Sequence, residues 1–341
     1  MEQCPYGKVL TGEREALRAA FDRFQSQPVD YDATVGEFAG SDKLPRQTTL
    51  AGSASVTGSG TFLGRASRTL VFEPNPEPGW AFQRTDLPDS MPIVVSVKNV
   101  WTTARNIVLC SGSPHNYMRM VEHIAALRVG MGLDNVMIRA ESGDPPLFER
   151  SSLDLVEAVE RAGIVEQQAA PVYVAVKEPV TAGNRKGGFL TFLPPENGAR
   201  ELHVDCAVDF RTAIRQQRVK FTVNRGLFKY ASFARTNSTL GMMMYCRTIG
   251  KLFADVRNLG YNRNNILIAG PRRYYNPPRY VLPGGKSLEA VWHRAMLDLL
   301  AAVALIDRGR FVGRILSYKA GHALDVAMVK ELYQHDLIEE I

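Results

Sequence analysis

Residues 117–129 read YMRMVEHIAALRV, and the rest of the chain is best read outward from them. Met120, Ile124, Leu127 and Met131 recur at helical spacing, so a helix runs through the segment with Glu122-His123 near its start. Adjacent helical side chains diverge by about 100°, so His123 and Glu122 point in different directions and suit different tasks. Further on come His293 with Asp298, and then Gly321-His322. Two imidazoles and a carboxylate suit a metal ion, while a second carboxylate and a third imidazole suit proton transfer. That is the part list of a zinc hydrolase, whose metal keeps a position open for water.

Around this segment the pattern alternates strands and helices. Thr69–Glu73, Ile93–Lys98 and Asn135–Ala140 read as strands, and 153–162 reads as a helix with Ser151 and Ser152 as cap candidates. The second half repeats this logic. It has strands at Val172–Lys177, Phe189–Phe192, His203–Val208, Lys220–Val223, Ile266–Ala269 and Arg314–Tyr318, with helices over Met242–Arg257, Leu288–Leu305 and Ala323–Tyr333. The expected architecture is α+β. It has two related modules, 45–167 and 168–341, each a small mixed sheet with two helices, and the helical layers face each other across the site. Residues 1–44 read as an appended extension whose helix, Glu13–Phe24, carries Leu17, Phe21 and Phe24 on one face.

The bulk properties set limits. A chain of 341 residues has room for about two domains. Its composition, 45% hydrophobic and 22% charged, is that of an ordinary globular protein with ample material for a core. The net charge of +6 comes without a dense Lys/Arg block, which speaks against a nucleic-acid partner and suits a small anionic one. Cys4, Cys110, Cys206 and Cys246 form no CxxC pair and read as reduced thiols. Met1–Tyr6 has no secretory pattern, and Leu299–Ile306 falls well short of the roughly 20 apolar residues of a membrane-spanning helix. These features predict a cytoplasmic protein without a transmembrane segment; a monomer is expected, although the sequence does not give the oligomeric state.

Five pieces, in order, carry a family resemblance. They are Phe82-Gln83-Arg84-Thr85-Asp86-Leu87; Val121-Glu122-His123 with Gly132-Leu133-Asp134-Asn135; Ala234-Arg235-Thr236; Glu289 through Asp298; and Tyr318 through Leu324. Over roughly residues 50–335 the chain resembles the UDP-3-O-acyl-N-acetylglucosamine deacetylases, zinc enzymes of lipid A synthesis. The resemblance implies Zn2+ held by His123, His293 and Asp298, with Glu122 as general base and His322 as general acid. It also implies Thr236 as a donor to the developing oxyanion, and an acylated nucleotide-sugar as the small-molecule substrate. Arg294 and Lys319 are candidates for the diphosphate. Phe62 and Leu63, with the Phe189–Phe192 strand, are candidates for the acyl-chain wall, although Phe189 and Phe192 also read as core. Cys110 and His115 have no partners at ligand spacing, and with His203 and His335 they read as ordinary buried or loop residues.

The chain departs from the family pattern at several points. The family's second ligand pair is spaced i, i+4, whereas His293 and Asp298 are i, i+5, about 140° apart on an ideal α-helix. Three outcomes stand open: a π-bulge that returns both to one face, a helix that starts later, or a broken site. Where the family often carries a second Asp, this chain has Ala302; Arg294 replaces a Lys and Asn237 an aromatic residue. The glycine-rich Thr57–Gly64 has no His, and Phe148-Glu149-Arg150-Ser151 matches its counterpart only loosely. These departures motivate a second reading, a non-catalytic or substrate-shifted paralogue that keeps the fold for binding or regulation.

Overall fold

The strand-like runs assemble into a seven-stranded and a five-stranded sheet, with shorter pairings beside them, in a mixed α+β architecture. A computed structural model describes residues 6–42, 44–60, 66–104, 106–248 and 262–341. Among the described residues the α-helices are α1 (Arg14–Ser26), α2 (Glu122–Gly130), α3 (Leu153–Ala162), α4 (Arg225–Ala231), α5 (Leu240–Arg247), α6 and α7 (His322–Gln334). Helix α6 is uneven. It is α-helical over Glu289–Trp292, π-helical over His293–Leu299 and α-helical again over Leu300–Ala304.

In the larger sheet the strands run Lys8–Thr11, Val180–Gly183, Phe189–Leu193, Gly313–Tyr318, Leu202–Asp209, Gln216–Thr222, Tyr31–Asp32. The Phe189–Leu193 strand is nearly all apolar because both of its faces are covered. Leu190 and Phe192 enter the main core, while Phe189 and Leu193 join a second cluster with Leu17, Phe21 and Phe24 of α1. Phe189 and Phe192 are therefore core residues, 1% and 0% exposed, and not the wall of an acyl passage. In the smaller sheet Val136–Ala140 lies between Ser67–Pro74, antiparallel, and Trp80–Arg84, parallel.

Residues 6–42 are not an appendage. Lys8–Thr11 pairs with one edge of the seven-stranded sheet and Tyr31–Asp32 with the other, and α1 covers the outer face between them. The sequence signal for α1 was the stripe Leu17, Phe21, Phe24; what that stripe covers could not be read locally. Two further boundaries differ from expectation. The strand at Ile93 ends at Val94 and gives way to a 3-10 turn at Val97–Asn99. The described part of the helix expected over Met242–Arg257 is Leu240–Arg247. Phe62 and Leu63 lie outside the described residues.

One core cluster runs through both sheets and the helices between them, with Phe72, Phe82, Leu127, Phe221 and Trp292 among its members. Helix α2 packs against the π-helical and final segments of α6, which brings Glu122-His123 to the helix of His293 and Asp298. At the far end of α2 a Cβ on Gly130 would lie 2.0 Å from the Phe228 ring of α4, so this crossing requires glycine. No helix among the described residues is long and apolar enough to cross a membrane.

Candidate active site

The i, i+5 spacing is resolved inside α6. The helix becomes π-helical at His293, and its wider turn puts the His293 and Asp298 side chains together, with Nδ1 of the first 3.6 Å from Oδ1 of the second. The same Asp298 oxygen is 3.5 Å from Nε2 of His322, at the start of α7. From the facing helix, the His123 ring lies 5.3 Å from the His293 ring, centroid to centroid. Three distant pieces of sequence thus meet at one place.

Two of the three imidazoles are held by a hydroxyl neighbour. Ser152 begins α3, yet its hydroxyl caps nothing there. It lies 3.1 Å from both the His123 carbonyl oxygen and His123 Nδ1. A hydroxyl has one proton, and given to the carbonyl it leaves an oxygen lone pair to accept from Nδ1–H. That arrangement sets the tautomer with the Nε2 lone pair available, the usual support for a metal-binding His. Burial, and then the nearby His293, push the His123 pKa down to about 3, so this ring stays neutral at physiological pH. Thr236 Oγ1 is 2.8 Å from His293 Nε2. The hydroxyl expected to serve an oxyanion is therefore engaged with an imidazole.

Glu122 is 6% exposed and accepts from the Ile107 backbone N–H at 3.1 Å. Burial raises its pKa, with His322 offsetting part of the effect. A carboxyl shifted toward neutrality suits a proton acceptor. Burial alone would depress His322, but Asp298 and then Glu122 outweigh it and raise its pKa. Burial alone would likewise raise Asp298, yet His322 and His293 hold it well below the usual carboxylate range.

Arg294 is not a surface cation. It is buried, donating to Asp325 at 2.6 Å, to Ser317 Oγ at 3.3 Å and to the Ala320 carbonyl at 3.1 Å. The diphosphate role expected of it is overturned, because its guanidinium joins α6 to the loop that presents His322. Arg294→Ala would strand the buried Asp325 carboxylate. The expected loss is roughly 3–5 kcal/mol, read as a lowered denaturation midpoint. Arg294→Lys should recover part of it, since lysine keeps the charge without the fork. Lys319, by contrast, is exposed two residues before Gly321. It also takes the left-handed backbone of this turn (φ 48°), whereas Gly321 is merely extended. Met120 and Ser151 are left-handed too, just ahead of α2 and α3. Non-glycine residues in this region cluster where strain is functional.

Sequence reasoning missed three supports. Ser152 was read as a cap. Arg235 and Glu289, both inside segments quoted for the resemblance, form a buried bidentate pair at 2.6 and 3.0 Å that ties the Thr236 loop to the start of α6. Arg84 grips Asp86 and donates to the Tyr117 carbonyl at 2.9 Å, anchoring the approach to α2. No local pattern announces any of these pairings. The other histidines stay out of the site: His203 lies 2.9 Å from the Thr222 hydroxyl and His335 3.1 Å from Glu331. Cys110 and Cys206 are free thiols, and Cys4 lies outside the described residues.

Among the described residues, no three His, Cys, Asp or Glu side chains stand arranged for a metal ion as they are. The donors face one another instead. They fit a cation in kind: two imidazoles and a carboxylate suit zinc, and Asp298 Oδ1 is buried without a hydrogen bond, a state that a cation relieves. A cleft at His123 is lined by Met120, Pro146, Leu147, Phe148 and Thr236.

The family model "LpxC: UDP-3-O-acyl N-acetylglycosamine deacetylase" matches residues 47–334. Proteins of Brucella ovis, Brucella canis and Brucella melitensis named UDP-3-O-acyl-N-acetylglucosamine deacetylase are each 27% identical over 303 residues, covering 86% of this chain and 98% of theirs.

Proposed function

Because the chain belongs to the UDP-3-O-acyl N-acetylglycosamine deacetylase family, we propose that it is a zinc-dependent hydrolase removing the N-acetyl group from an acylated UDP-N-acetylglucosamine of the lipid A pathway type. The observation that carries this reading is the π-turn, which returns His293 and Asp298 to one face beside His123. His123, His293 and Asp298 would hold the ion. Bound zinc supplies a water acidified to a pKa of about 7 and polarises the amide carbonyl.

The other roles fall to the chain's own groups. Glu122 takes a proton from the attacking water as its oxygen bonds to the acetyl carbon. His322 gives a proton to the amide nitrogen as the C–N bond breaks, releasing acetate and the free amine. Thr236 donates to the developing oxyanion once it turns from His293. Lys319 meets the diphosphate. The cleft of Met120, Pro146, Leu147 and Phe148 offers apolar surface for the acyl chain. The parts 45–167 and 168–341 are two related modules meeting at this cleft.

The test is metal analysis with an assay for amine release from the acylated UDP-sugar. One zinc per chain with turnover supports the proposal, and neither zinc nor turnover sinks it. The second reading, a non-hydrolytic paralogue, draws on Ala302 and on the lack, among the described residues, of a ready three-donor group. It predicts folded protein that binds the acylated UDP-sugar without releasing amine.

A further inference from the structure

The match to the family begins at residue 47, so the segment before it lies outside the matched region. Its path is that of a strap. It pairs with one edge of the seven-stranded sheet at Lys8–Thr11, crosses the outer face as α1, and pairs with the other edge at Tyr31–Asp32. It then continues toward α4, where the Phe38 and Gly40 carbonyls accept from Asn224 and the Asp42 carboxylate accepts from the Arg225 backbone N–H.

At its turn onto the second edge the strap reaches the helix of His293. The Tyr31 ring meets the Trp292 ring edge-on, centroids 5.9 Å apart. Trp292 is 1% exposed and immediately precedes His293. Phe221 and Tyr230 complete its surroundings at 5.7 and 6.1 Å, and Tyr230 in turn packs on Phe38 of the strap at 5.2 Å. One residue before Tyr31, Asp30 accepts from Lys286 at 2.6 Å, in the lead-in to α6. The strap therefore holds α6 on both sides of its first turn. That position matters because the π-turn starts at His293. A π-turn is an uncommon local geometry, so packing must fix the direction in which its side chains leave.

We propose that residues 6–42 brace the candidate metal helix, and that Tyr31 is a positioning residue setting His293 through Trp292. The proposal rests on the deacetylase reading for its catalytic consequence and not for its mechanical one. The ring makes the contact, so Tyr31→Phe should preserve it and Tyr31→Ala should lose it. Leu17→Ala is the control. It weakens the strap within the outer cluster, away from Trp292.

The experiment compares these three full-length variants with the unaltered protein. Zinc affinity is read by chelator competition, kcat and KM on the acylated UDP-sugar, and amide hydrogen exchange of residues 293–299 in metal-free protein. Tyr31→Ala is expected to weaken zinc binding and lower kcat by about tenfold each, the scale of lost support behind a metal ligand. KM should change little, and exchange at 293–299 should quicken. Tyr31→Phe should match the unaltered protein, and Leu17→Ala should lower the melting temperature alone. Unchanged zinc affinity and exchange in Tyr31→Ala overturn the brace, and equal losses in Leu17→Ala overturn Tyr31 as its positioning residue. If the unaltered protein takes up no zinc, the deacetylase reading fails and the exchange comparison alone decides the brace.

Discussion

His123→Ala should remove zinc and amine release together. His123 is one of three proposed ligands, and the only one contributed by α2. Its ring is neutral, its tautomer is set by Ser152, and it faces His293 across the gap between helices. Truncation leaves two donors from α6 and an opening where the third stood. We expect zinc affinity to fall on the order of 10³-fold, about 4 kcal/mol at 1.4 kcal/mol per tenfold, and turnover to fall to background. The fold should survive, because α2 is held by its buried Ile124, Ala125 and Leu127. Chelator competition and circular dichroism on the same sample check both halves. A variant that keeps its zinc would remove His123 from the ligand set.

Glu122→Gln should separate catalysis from metal binding. Glutamine keeps the shape and can still accept from the Ile107 N–H, but it cannot take a proton. Loss of a general base costs on the order of 10²–10⁴ in rate, so kcat should fall by that factor while zinc affinity holds. The same substitution should stabilise the metal-free protein. The folded-state pKa of Glu122 is raised, chiefly by burial, so the folded state disfavours its ionised form. Stability is then lost as pH rises from the unfolded carboxyl's pKa through the folded one. The glutamine variant has no such loss. The difference in metal-free melting temperature, Glu122→Gln above the unaltered protein, should open as pH rises through that window and stay constant above it. A difference independent of pH would mean that Glu122 is not ionised at a cost in the folded state.

Much of the fold was legible because its signals are local. The stripe of Met120, Ile124 and Leu127 marked α2, and the runs at Phe189–Phe192 and His203–Val208 marked two strands of the seven-stranded sheet. The unusual spacing of His293 and Asp298 was legible as an anomaly, and of the three outcomes left open the structure takes the π-turn. What escaped depends on distant partners. Arg294 looks like any exposed arginine until Asp325 and Ser317 are brought beside it. Ser152 looks like a cap until His123 arrives. The left-handed residue of the last site loop is Lys319, although the neighbouring Gly321 advertises that freedom. The strap escaped for the same reason, since short strands such as Tyr31–Asp32 become strands only through the edge they join.

The central claim is that a π-turn in α6 lets two of its side chains share one cation with His123. Zinc K-edge X-ray absorption of the loaded protein tests it most directly. The account predicts a shell of nitrogen and oxygen at about 2.0–2.2 Å, with the outer scattering of two imidazoles, falling to one in His123→Ala that is forced to load at high zinc. A sulfur shell near 2.3 Å, or a single imidazole in the unaltered protein, would contradict it.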